Sequence, residues 1–243
     1  MKLNCDLGES FGAWVMGQDA EVMPHIDMAN VACGFHAGDA DVMYQTLALA
    51  KENGVVVGAH PGYQDIPGFG RRSLKLDQQQ LINAIVYQVG ALTAMAKMHG
   101  LDVEYVKPHG AMYNDMMKNK PLRNAIMEAV SKYPSNLKLM LQATGKQAEH
   151  KLEAKSYNIE LMFEAFADRA YTDEGLLVAR SQPGAVLTKE NTLSQITQLV
   201  RDSSINSTNG KLLKLQVDSI CVHGDNLSAV EAIKDIQQII KGH

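Results

Sequence analysis

No window of this 243-residue chain holds the roughly 18 continuous apolar residues that a membrane-spanning helix needs. The N-terminus, MKLNCDLGES, has no apolar run of the signal-peptide kind. Basic blocks and Lys/Arg stripes are also missing, and the formal charge is -4, so neither a nucleic-acid backbone nor an anionic membrane is expected as a partner. Cysteine is scarce: Cys5, Cys33 and Cys221 form no CxxC pair, which speaks against a disulfide framework and against a thiolate zinc site. Together these absences predict a cytoplasmic protein with reduced thiols. Linkers, low-complexity tracts and short-period repeats are lacking too, so one domain is expected over residues 1–243.

Several chemical signatures are missing as well. There is no GxxxxGK[ST] loop, and no GxGxxG follows a strand, so the chain has no recognisable phosphate loop or dinucleotide fold of its own. HxH and HExxH are absent. A serine nucleophile has little support.

What is present is an alternation of two patterns. Near-continuous apolar runs, of the kind parallel strands show when buried on both faces, occur at 2–5, 27–33, 55–59, 103–107, 137–142, 159–166 and 218–223. Helical spacing is clearest from Asp77, a candidate N-cap, to Gly100, and helices are also predicted at 39–53, 121–133, 145–156, 189–202 and 227–241. This order predicts an α/β fold with a parallel sheet, closed as a barrel or open and doubly wound. Either form gathers the loops that follow the strands at one end, where chemistry belongs.

The polar residues pass that test. Asn4, Asp6 and Glu9 follow the first strand; Asn30, His36 and Asp39 the second; His60 and Asp65 the third; Lys107, His109 and Asn114 the fourth. Glu164, Asp168, Arg169, Asp173 and Arg180 follow the sixth, and His223, Asp225 and Asn226 the last. Any one of these could merely satisfy a turn or cap a helix. Asp39 stands where the next helix needs its N-cap, and Asp225 and Asn226 could do the same. His99 falls in the last turn of its helix, where the dipole favours a cation, and His150 reads as a solvated helix residue. Clusters in six separate loops are more than capping requires, and they predict a shared pocket.

The residue types suit general acid–base chemistry on a small acid. Asp6 or Asp173 could accept a proton from water, His60, His109 or His223 could shuttle one, and Lys107 or Arg169 could hold a carboxylate. Asn4, Glu9, Asn30, His36, Asp65, Asn114, Glu164, Arg180 and His223 would line the substrate. A divalent cation on Asp6, His60 and another strand-end histidine is a further possibility, and a Cys33–His36–Asp39 thiol triad a weaker one.

The segments LNCDLGESFG, ANVACGFHAGD, GAHPGYQD, VKPHGAMYN, EAFADRAYTDEGLLVAR and CVHGDN, in this order from residue 3 to about residue 226, resemble the LamB/YcsF family. The resemblance implies a seven-stranded β/α barrel like that of the glycoside hydrolase/deacetylase superfamily, some of whose members bind a metal through aspartate and histidine. It also implies a cytoplasmic 5-oxoprolinase activity: ring opening of 5-oxo-L-proline to L-glutamate with ATP as co-substrate, shared with partner subunits B and C. Two other readings stay open. One is a metal-dependent amidohydrolase or carbohydrate deacetylase that needs no ATP; the other is a non-catalytic subunit that binds a small acid.

Overall fold

The computed structural model describes residues 1–223 and 227–242. Strands β1 (Lys2–Leu7), β2 (Met28–Ala32), β3 (Val56–His60), β4 (Val103–Val106), β5 (Lys138–Gln142) and β6 (Leu161–Phe166) pair in parallel in chain order. A short antiparallel hairpin, β7 (Ser204–Asn206) with β8 (Leu212–Lys214), stands apart from them. The last strand, β9 (Ser219–Val222), pairs with both β6 and β1 and so closes a seven-stranded barrel. All seven predicted strands are present, and the choice between barrel and open sheet falls to the barrel.

The connecting helices are α1 (Asp19–Val22), α2 (Ala40–Asn53), α3 (Gln78–Met98), α4 (Gly110–Lys118), α5 (Lys120–Ser131), α6 (Gln147–Lys155), α7 (Lys189–Asp202) and α8 (Leu227–Lys241). Their starts are chemically marked. Asp39 accepts from the backbone N–H groups of Asp41 and Val42, and Asp77 forms a reciprocal capping box with Gln80. Helix α3 is the one described helix long and apolar enough to cross a membrane, but Leu81, Ile82, Ile85, Val89 and Leu92 bury one of its faces in the barrel's outer layer.

Strand alternation divides the barrel walls. Leu3, Val31, Val57, Ala59, Leu139, Leu141, Phe163 and Ile220 face outward into the main core with the helices. Inside, Met28, Tyr105 and Met140 form a separate apolar plug with Val56 and Met162 against it. One step along the same strands, the inward residues become polar. The Tyr105 ring fills the space at Gly58, where a Cβ would lie 2.1 Å from it, so glycine is needed there.

Two expectations need correction. Helix α4 was not foreseen, because its nine residues follow a loop-like PHG segment. His150 is buried rather than solvated: it lies beside Arg123, which is paired with Glu153, and burial first and Arg123 second pull its pKa down.

Candidate active site at the C-terminal mouth of the barrel

Above the apolar plug lies a closed polar layer centred on Lys107, whose side chain is 2% exposed. Its ammonium reaches Asp6 Oδ1 at 3.0 Å, Glu164 Oε2 at 3.1 Å, Asn4 Oδ1 at 3.3 Å and Cys221 Sγ at 3.1 Å. Asn30 donates to both Asn4 Oδ1 and Asp6 Oδ1 at 2.7 Å, Asn4 donates to Ser219 Oγ and Glu164 Oε2, and the Tyr105 hydroxyl donates to Asn30 Oδ1 at 2.6 Å. Burial alone would neutralise these groups. For Lys107 that tendency is outweighed by Asp6, Cys221 and Glu164, which hold its pKa well above the usual lysine value. For Asp6 it is outweighed by His60 and Lys107, which hold the carboxyl well below the usual range. Asp6 is therefore an ionised carboxylate at the upper edge of the layer, with 11% of its side chain open.

Next to Asp6 stands a cluster drawn from four loops. His60 ends β3, His109 caps α4, His36 comes from the loop after β2, and Glu9 from the loop after β1. His60 Nε2 lies 3.4 Å from Asp6 Oδ2 and 2.9 Å from His109 Nδ1. Glu9 Oε1 lies 3.5 Å from both His109 Nδ1 and His36 Nε2. The outer nitrogens of two of these rings are engaged, His60 Nδ1 with the Lys107 carbonyl at 2.7 Å and His109 Nε2 with the Phe69 carbonyl at 2.9 Å. His36 stacks on His109 with centroids 3.7 Å apart. Burial first, and neighbouring imidazoles second, lower the pKa values of His36 and His109 well below the ordinary histidine value, while burial pushes the Glu9 carboxyl up. Gly70, at φ +60°, lets the loop cross these rings: a Cβ there would come within 2.7 Å of His36 Cβ and 2.9 Å of His109 Cδ2.

The third group lies at the rim. His223 Nδ1 meets Asp168 at 2.9 Å, and its Nε2 lies 3.2 Å from the exposed Arg180 guanidinium. Burial would lower the His223 pKa, but Asp168 outweighs it and raises it. Asp6 and His223 present ligating atoms within 4.8 Å of one another.

Four of the expected site residues lie elsewhere. Asp173 accepts from Ser207 Oγ and Asn209 Nδ2, so it ties its loop to the β7–β8 hairpin instead of facing Asp6. Arg169 is buried with its guanidinium donating to the Ala185 and Val178 carbonyls, which leaves it no role in holding a carboxylate. Asp65 accepts from Gly68 N and pairs with Arg72, shaping the loop that carries Phe69 and Gly70. Asn114 is exposed on α4, whose buried face is made by Met112, Tyr113, Met116 and Met117. Asp225 and Asn226 lie outside the described residues.

The nucleophile alternatives lose their geometry. Cys33 is buried in the outer core with its thiol pushed up to about 12 by burial, and Asp39 is spent on its cap. The stretch Gly8–Gly12, GESFG, does have GxSxG spacing, a match that a reading against serine overlooks. It forms no strand–turn–helix elbow, and Ser10 Oγ exchanges hydrogen bonds with the Met16 backbone.

Sequence reading missed Tyr105, Ser219 and Gln88, which brackets Gly62 through both its N–H and its carbonyl. Tyr105 was accessible to it, since it lies two residues before Lys107 and so shares its face. Gln88 also left a trace, as a polar residue on the buried face of α3.

Comparison with known proteins agrees with this architecture. The chain is 50% identical over 239 residues, 98% of this chain and 96% of the other, to the 5-oxoprolinase A subunit of Pseudomonas fluorescens (strain Pf0-1). It is 49% identical over 238 residues, again 98% and 96%, to the 5-oxoprolinase A subunit of a Vibrio cholerae serotype O1 strain. The crystal structure of a lactam utilization protein from Thermus thermophilus superposes with a TM-score of 0.91 at 35% identity, covering 100% of this chain and 96% of that one. The LamB/YcsF family profile matches residues 1–243, and with a shared barrel and a relative at half identity over nearly its whole length, the chain belongs to the LamB/YcsF family.

Proposed function

We propose that this chain opens the lactam ring of 5-oxo-L-proline in the cytoplasm, after partner subunits B and C have used ATP to phosphorylate the lactam oxygen. The observation that carries the reading is the pairing, across one mouth, of an ionised carboxylate, Asp6, with a rim histidine, His223, whose pKa is raised. The names of the relatives supply the substrate class and the other subunits. The lack of a phosphate loop supports giving ATP to the partners. Trp14 and Val15, 68% and 85% exposed on the loop after β1, give that same mouth an apolar tip suited to a partner.

In this mechanism water gives a proton to Asp6 and adds to the activated ring carbon. A weakly basic carboxylate is sufficient because phosphorylation has already made that carbon electrophilic. The C–N bond then breaks, the ring nitrogen takes a proton from His223, and phosphate departs. Arg180 binds the substrate carboxylate at the rim. Lys107, enclosed by its partners, holds Asp6 ionised and does not touch substrate. The steps leave out the Glu9–histidine cluster. That cluster suits a cation, which would supply Lewis acidity, and it is the one observation favouring the ATP-independent amidohydrolase as a second reading.

ATP turnover tests the division of labour. With 5-oxoproline and ATP, this chain alone forms no ADP, and adding the partners yields ADP and glutamate together. ADP formation by the isolated chain would sink the reading.

Two variants probe the rim. Arg180→Ala raises KM for 5-oxoproline about tenfold or more with a smaller change in kcat, as loss of a charge-assisted contact of roughly 1.5–3 kcal/mol requires. In Asp168→Asn the His223 pKa falls. Since the acid must be protonated, the alkaline limb of the pH profile of kcat/KM moves to lower pH, which initial rates across the neutral range would show.

A further inference from the structure

We propose that Glu9 Oε1, His36 Nε2, His60 Nε2 and His109 Nδ1 hold a divalent transition-metal ion, of the zinc or cobalt class, at the mouth of the barrel. The argument starts from where the ring protons must be. A backbone carbonyl can only accept, so the His60 ring carries its hydrogen on Nδ1, toward the Lys107 carbonyl, and the His109 ring carries its hydrogen on Nε2, toward the Phe69 carbonyl. That leaves His60 Nε2 and His109 Nδ1 with lone pairs facing each other at 2.9 Å. Two acceptors at that distance require a cation between them.

A shared proton would satisfy that pair alone. It would leave Glu9 Oε1 and both ring nitrogens of His36 buried without a hydrogen-bond partner, and the His36 side chain is wholly buried. A metal ion accounts for all of these atoms. Donors around a tetrahedral ion with bonds of about 2.1 Å lie about 3.4 Å apart. The separations here are 2.9 Å for His60–His109, 3.5 Å for Glu9–His109 and 3.5 Å for Glu9–His36. The His60 and His109 rings stand at 88°, so both in-plane lone pairs can converge on one point. His36 lies parallel to His109 and joins as fourth donor by turning about its side-chain bonds, which no hydrogen bond restrains. The Lys107 and Phe69 carbonyls are the outer contacts that orient metal-binding imidazoles.

The donor set differs from the one anticipated around Asp6. A second group, Asp6, Cys221 and His223, is also close enough to ligate an ion, but the Lys107 ammonium lies 3.0 Å from Asp6 and 3.1 Å from Cys221 and repels a cation there. Three imidazoles and one carboxylate suit zinc or cobalt better than magnesium or calcium. The assignment does not depend on the substrate proposed above.

Cobalt binding tests it without any assay of turnover. EDTA-stripped full-length protein is titrated with Co²⁺, and bound metal is measured by elemental analysis after dialysis together with the visible absorption of the ion. The wild type is expected to retain one equivalent, with the intense visible bands of a low-coordinate site, and to melt at higher temperature with metal than without it. Glu9→Gln and His109→Gln, checked for folding by their metal-free melting curves, lose both the retained ion and the thermal gain, whereas Asp6→Asn keeps them. If His109→Gln does not fold, Glu9→Gln, whose side chain is partly exposed, decides the matter. The proposal is overturned if the wild type retains neither Co²⁺ nor Zn²⁺ above the buffer blank, if Glu9→Gln binds like the wild type, or if Asp6→Asn alone abolishes binding.

Discussion

Replacing Lys107 with methionine is expected to destabilise the fold by about 3–5 kcal/mol, the cost of leaving buried carboxylates without their counter-ion. In a chain of this length that lowers the melting temperature by on the order of 10 °C. The effect follows from position. Lys107 stands between Asp6 and Glu164 inside the barrel, and Glu164 is completely buried. The same ammonium fixes the strand-end register around the site, because Asn4, Asn30 and Tyr105 all orient toward groups it holds. Ring opening should vanish with it, since Asp6 would no longer be held ionised. Equilibrium urea unfolding checks the first half of the prediction. Adding Glu164→Gln to Lys107→Met should recover part of the stability and none of the activity. If Lys107→Met unfolded like the wild type, the buried charge layer would not be the structural centre described here.

Asp6→Asn is expected to separate stability from catalysis. The amide keeps an oxygen for the bonds from Asn30 and Lys107 and leaves Lys107 paired with Glu164, so the loss of stability is smaller than for Lys107→Met. An amide cannot take a proton from water, and kcat for glutamate formation should fall by about 10²–10⁴-fold. The dissociation constant for 5-oxoproline, measured by calorimetry, should change little, because the proposed carboxylate contact is with Arg180 at the rim. A large loss of binding with unchanged kcat would make Asp6 a substrate-positioning group instead.

Much of this was legible in the sequence, for identifiable reasons. Strands buried on both faces are almost wholly apolar, so LKLMLQ and DSICVH stand out. Closure of the sheet does not, because the same strands would serve an open sheet. The residues nearest the strand ends were readable because a strand leaves little freedom over where they go: Asp6, His60, Lys107 and His109 all meet at the mouth. Farther along a loop that control disappears. Arg169 and Asp173 belong to the long connection between β6 and α7, where no period tells whether a charge faces the pocket or the loop's own backbone. Asn114 failed for a different reason: with α4 unread, its outward face could not be known. His150 shows the limit of polarity as a guide, since a neutral imidazole fits a buried helix face when an ion pair lies beside it.

The central claim is that ring opening occurs at the barrel mouth of this chain, with Asp6 taking the proton from water. Its most direct test is glutamate release from 5-oxo-L-proline and ATP in the presence of partner subunits B and C, comparing no added chain, the wild-type chain and folded Asp6→Asn. The account predicts release only with the wild type. Release at the wild-type rate by the partners alone, or by partners with Asp6→Asn, would contradict it.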